Sequence, residues 1–240
     1  MIEARNLSYK EKKSKNDFSI DNVCFKLEDG YIMSLLGKNG SGKTTLLNLI
    51  YGMLKSDSGE VLWNGEVVNG DNGYDFKCDV AYVGGEDWCF LSKSINDNVE
   101  ILKCLYEDFN VELYEEYLKY FDLKESDRTK EYSKLSTGQM MLFQIAFAMA
   151  RKPKLLIMDE PMANLDPVVK VDIVELLQQK VAKDNMSVII STHLLSEISD
   201  VTDYIGIIEN GKMTEFDNRE VIFDKYNAEE LREIFIETEE

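Results

Sequence analysis

The sequence predicts an α/β fold: a core with a mainly parallel sheet, an antiparallel β subdomain, and a helical subdomain inserted between the two halves of the core. Three observations carry this prediction. An apolar run at residues 31–36 leads through a glycine-rich turn into a helical run. Beyond residue 153, short apolar runs alternate with helical stretches, the pattern of a parallel sheet covered by helices. Between these halves the apolar residues recur at helical spacing instead. With 240 residues and 44% hydrophobic content, the chain can bury a large core.

In order along the chain, residues 2–7 and 18–27 read as strands, separated by a charged loop at 10–17. Residues 60–68 read as a hairpin with Asn64-Gly65 at its turn. Residues 80–83 read as a buried strand, broken by Gly84-Gly85-Glu86-Asp87. Ile95, Val99, Leu102 and Leu105, then Leu113, Tyr117, Leu118 and Phe121, mark helices, and 124–132 is a polar connector. An apolar helix follows over 140–150, interrupted by Gln144. It is about half the length a bilayer span needs. Strands at 155–158, 187–191 and 204–208 then alternate with helices at 168–183 and 194–201. Residues 219–226 and 228–240 read as acidic closing helices. The expected organisation is one domain, with 1–86 and 153–216 as the core, 87–152 as the helical subdomain and 217–240 as the closing helices.

The glycine-rich turn is Gly37-Lys38-Asn39-Gly40-Ser41-Gly42-Lys43-Thr44-Thr45. Glycines let the backbone turn tightly, so successive N–H groups can point at a triphosphate that side chains would hold off. Lys43 supplies charge to the β and γ phosphates, Thr44 offers its hydroxyl to Mg2+, and the following helix aims its positive end at the anion. The bland alternative is a chance glycine turn, which the flanking strand and helix oppose. The core is therefore read as a P-loop nucleoside triphosphatase.

Composition narrows the partners. The 45 acidic and 27 basic side chains give a net charge of −18, which argues against a nucleic-acid backbone as the main partner. Four scattered cysteines and one histidine oppose a zinc site and fit a reducing cytoplasm. The first residues carry an acid and no apolar core, unlike a signal peptide.

Two later motifs discriminate among nucleotide enzymes. Residues 155–160, Leu-Leu-Ile-Met-Asp-Glu, form an apolar strand ending in two acids, where ligands meet the carboxyl ends of a parallel sheet. Asp159 is placed to hold Mg2+ and Glu160 to take a proton from attacking water; alone, the pair could equally be a helix N-cap region. Residues 135–139, Leu-Ser-Thr-Gly-Gln, give Ser136 and Gln139 the spacing of a capping box, opening a helix whose N-terminus can face an anion.

Here the chain resembles the ATP-binding cassette family, whose signature is usually Leu-Ser-Gly-Gly-Gln between the two nucleotide motifs, with a weaker likeness to bacterial exporter cassettes for drugs or antimicrobial peptides. The resemblance covers nearly the whole chain. It implies that Tyr9 stacks on adenine, that Leu165 and Asp166 lie at a subunit contact, and that His193 senses the γ phosphate and orients water. Taken alone, Tyr9 reads as packing and His193 as a local cap or packing residue. The resemblance further implies that Ser136, Gly138 and Gln139 meet ATP bound to a second subunit. Two ATPase subunits, alike or different, would enclose two MgATP and drive a separate transmembrane permease. Membrane contact would come only through that partner, at the inner face of the cell membrane, and the expected direction is export.

Two departures from the family stand out. Thr137 replaces a glycine. Gly84-Gly85-Glu86 stands where the family places a glutamine, leaving Glu86 either a Mg2+ ligand or a turn residue. The competing reading is a non-transport relative acting on nucleic acid or ribosomes; one cassette with an insert of ordinary size opposes it. A GTPase or small-molecule kinase should show Asn-Lys-x-Asp or a nucleoside lid, and neither is found.

Overall fold

A computed structural model describes residues 1–11, 18–84, 89–107, 109–163, 165–192 and 198–228. The expected positions Glu86 and His193, the first half of the expected helix at 194–201 and nearly all of that at 228–240 lie outside them.

Two sheets form. Strands β1 (Ile2–Lys10), β2 (Ser19–Leu27), β4 (Ser58–Trp63) and β5 (Glu66–Val67) make an antiparallel sheet in the order β2-β1-β4-β5. The second sheet has the order β10-β9-β3-β8-β7-β6. In it β3 (Ile32–Leu36), β6 (Val80–Gly84), β7 (Leu155–Asp159), β8 (Ser187–Thr192) and β9 (Tyr204–Glu209) run parallel, and β10 (Lys212–Asn218) is an antiparallel edge.

The central strands are apolar on both faces because both faces are covered. Met33, Leu35, Val80, Tyr82, Leu155, Ile157 and Ile189 join a core with the antiparallel sheet and α1 (Lys43–Tyr51). Their alternating neighbours Ile32, Ala81, Val83, Leu156, Met158, Val188 and Ile190 join the other core. That core contains α3 (Ile95–Leu102), α4 (Val111–Tyr120), α6 (Thr137–Ala150) and α7 (Pro167–Asp184). Leu46, Leu47, Leu49 and Ile50 of α1 are all buried, which stabilises by about 1.5–3 kcal/mol each. Gly52, in the left-handed conformation, ends α1 by donating to Asn48 and Leu49 carbonyls.

The hairpin turn forms as the sequence predicts, with Asn64 and Gly65 both at positive φ (52° and 86°) and β4 pairing β5. The polar connector contains a short helix, α5 (Glu125–Arg128), while α2 (Gly73–Asp79) and α8 (Arg219–Tyr226) flank β6 and β10 in the chain. No helix among the described residues is long and apolar enough to cross a membrane.

Candidate nucleotide site

Strand register gathers the separated motifs at one edge. Leu36 lies opposite Thr192, Ser191 opposite Asp159, and Asp159 opposite Gly84, so the carboxyl ends of β3, β8, β7 and β6 are aligned. This is the edge where ligands meet an open parallel sheet.

The turn after β3 adopts the conformation that glycine permits. Gly40 and Gly42 have φ of +82° and +113°. A Cβ on Gly37 would fall 2.5 Å from both the Ile208 carbonyl and the Ser41 hydroxyl. Lys43 is buried, donates from Nζ to the carbonyls of Gly37 (2.7 Å) and Lys38 (3.3 Å), and lies 3.2 Å from Glu160 Oε1. Ser41 Oγ is buried without a hydrogen-bond partner. The loop thus holds a desolvated cation and an unsatisfied hydroxyl, an arrangement that an anionic oxygen would complete. A cleft of about 430 Å3 opens beside it, lined by Glu11, Phe18, Asn39, Gly40, Gly42, Lys43, Thr44, Thr45 and Glu160.

Asp159 is buried at the end of β7, and Glu160 follows with φ +49°. Ser191 ties the two acids together: its Oγ donates to Asp159 Oδ1 at 2.6 Å and accepts from the Glu160 N–H at 3.0 Å. Tyr82 shares this surroundings, and burial, reinforced by the Asp159 carboxylate, pushes its phenol pKa up so that it stays protonated. Thr44 is exposed at the first turn of α1. Its hydroxyl and the Asp159 carboxylate are hard oxygen donors of the kind Mg2+ takes, so the residues present fit that ion.

The capping box forms as its spacing predicts. Gln139 N–H donates to Ser136 Oγ and Ser136 N–H to Gln139 Oε1, both at 3.1 Å, opening α6 with Ser136 exposed. Asp166 caps α7 through Val168 N–H (3.2 Å), with Pro167 in the first turn. Leu165 is buried behind it.

Tyr9 lies in β1 opposite Ile20, half-buried and packed against the core shared with α1. The aromatic lining the cleft is Phe18, whose ring tip would be 2.8 Å from a Cβ on Gly42. Sequence reasoning missed Phe18 and Ser191. Each left a weak signal: an aromatic closing the charged loop, and a hydroxyl directly after the apolar run 188–190.

A family model described as ABC transporter matches residues 20–163. The chain belongs to that family. It is 31% identical over 214 residues to the ABC transporter ATP-binding protein YtrB of Bacillus subtilis (strain 168), covering 89% of this chain and 70% of that one. It is 27% identical over 235 residues to the energy-coupling factor transporter ATP-binding protein EcfA1 of Streptococcus sanguinis (strain SK36), covering 96% and 84%. Its fold matches the ATP-binding cassette MJ0796, solved as a dimer in a post-hydrolysis state with ADP and Pi, at a TM-score of 0.81 and 24% identity, covering 91% and 99%. The chain is thus an ATP-binding ABC ATPase with the α/β cassette fold.

Proposed function

We propose that this cassette closes with a second ATPase subunit around two MgATP and uses their hydrolysis to drive a separate transmembrane partner. The observation that carries the reading is the convergence of the Lys43 loop, Asp159 and Glu160 on one sheet edge, with Ser136 capping a helix start that faces solvent.

In this reading the loop N–H groups and Lys43 hold the phosphates. Thr44 and Asp159 hold Mg2+, which when bound neutralises phosphate charge. Glu160 takes the proton of the attacking water, its backbone fixed by Ser191. Phosphate competes with Glu160 for the Lys43 ammonium, so nucleotide binding frees the carboxylate for that task. Gln139 and Gly138 stand with Ser136 at the α6 terminus, where backbone donors and the helix dipole suit a partner's γ phosphate. His193 keeps the γ-phosphate sensing that the resemblance implies, and Glu86, a departure from the family, stays either a Mg2+ ligand or a turn residue.

Val168 and Val171, 68% and 56% exposed beside Asp166, support a subunit contact at the start of α7. The same reading places the cassette on the cytoplasmic face of the membrane through its partner. Export rests on the resemblance to exporter cassettes alone, and cargo contacts belong to the partner. The test is equilibrium MgATP binding by Lys43→Ala. Removing the fixed charge should weaken binding at least about tenfold, and a Kd within twofold of the parent would overturn the assignment.

A further inference from the structure

Gln144 is the polar interruption of an apolar helix, and it is 4% exposed. Its Oε1 accepts from the Gly84 N–H at 2.9 Å, and its Nε2 donates to Tyr132 Oη at 3.0 Å. Tyr132 is fully buried, and its own N–H donates to the Lys93 carbonyl at 2.7 Å. One side chain thus joins α6 to the last residue of β6 and, through Tyr132, to the segment at 91–93.

The contact has a second point. Arg151, seven residues along, donates to the Val80 carbonyl at 3.2 Å. Seven helical residues span about 10.5 Å and four strand steps about 13 Å, so an antiparallel α6 meets both ends of β6. In the described sheet β6 is the outer strand, and α6 satisfies its free edge at each end. An apolar residue at 144 would bury equally well but could neither accept from the Gly84 N–H nor donate to the Tyr132 hydroxyl. Gly84 lies opposite Asp159, and a Cβ there would be 2.3 Å from the Asp159 carbonyl.

We propose that Gln144 is a positioning residue for hydrolysis, fixing α6, and with it Ser136, Gly138 and Gln139, relative to the Asp159 end of the parallel sheet. The proposal rests on the reading that Ser136 and Gly138 meet the partner subunit's nucleotide.

The experiment compares Gln144→Met, which keeps volume but loses both bonds, with Tyr132→Phe, which removes one hydroxyl and keeps the ring, and with Ser136→Arg. Hydrolysis rate, MgATP Kd, ATP bound per chain, and hydrogen exchange at Gly84 are measured for each. Expected are a kcat reduced about tenfold in Gln144→Met and about threefold in Tyr132→Phe, with Kd and stoichiometry unchanged and faster Gly84 exchange in Gln144→Met. Parental kcat in both variants, or a kcat that falls only in proportion to ATP bound per chain, would overturn the proposal and leave Gln144 a packing residue. Ser136→Arg separates the failures: parental hydrolysis by that variant would refute the signature reading itself, whereas its inactivity beside an active Gln144→Met would refute only Gln144.

Discussion

Glu160 holds a left-handed backbone conformation that non-glycine residues seldom adopt, at a cost of about 1–3 kcal/mol. Ser191 and Lys43 hold it there from two sides, so the carboxylate faces the glycine loop. The two acids were legible in the sequence because an apolar strand ended in them. Ser191 was not, because nothing local announces that a hydroxyl on the neighbouring strand will lie beside Asp159; only register does that. The aromatic was half legible. Tyr9 was read from family resemblance, but the residue lining the cleft is Phe18, so Phe18→Ala should weaken ATP binding about tenfold while Tyr9→Ala changes it less. Nucleotide titrations of both variants check this, and the reverse order would restore Tyr9. Lys77 offers a separate titration test. It lies over the Tyr51 ring and donates to the Tyr51 carbonyl, and burial, then repulsion from Arg151, lowers its pKa from 10.5 to about 8. Between those values the unfolded chain holds more protons than the folded one, so this group makes stability rise with pH across that window. Urea midpoints at pH 7.5 and 9.5 should therefore show a smaller rise, or a larger fall, for Lys77→Met than for the parent.

Elements with a strong pattern formed where the sequence placed them, and those without one went unread. Helix α1 follows the glycine-rich turn, beginning at Lys43 and ending at Tyr51, because a glycine loop and Gly52 bracket an apolar run. Helix α2 was missed because it buries only Phe76, too little for a helical period. Strand β10 was missed for a different reason. A bulge between Met213 and Glu215 shifts its register, so Met213 and Phe216, three residues apart, both pack on one core and the alternation disappears. One cap was legible, the box at Ser136 and Gln139, and a second of the same kind went unread. Helix α3 opens with such a box, Ser94 Oγ accepting from Asp97 N–H at 3.0 Å. Ser94→Ala should cost about 1 kcal/mol, lowering Tm by about 2–4 °C, with MgATP binding unchanged. Calorimetry beside a binding titration checks both parts, and a loss of binding without a change in Tm would contradict it.

At the scale of the whole molecule, the charge of −18 sets the terms of assembly. Two copies repel one another, so the proposed closure would draw on contacts that form only with nucleotide bound. Those are the phosphate interactions proposed for Ser136 and Gly138, which hydrolysis would remove. The central claim is therefore best tested by blocking chemistry while keeping binding. Glu160→Gln retains size and removes the base, and should slow hydrolysis by about 10²–10⁴-fold. Light scattering on this variant at about 150 mM salt, where charge repulsion is screened beyond about 8 Å, should show a dimer with ATP and a monomer with ADP or without nucleotide. Adding Ser136→Arg should return the ATP sample to monomer with the cradle still binding nucleotide. A Glu160→Gln protein that hydrolyses ATP near the parental rate, or whose ATP-bound dimer survives Ser136→Arg, would contradict the account.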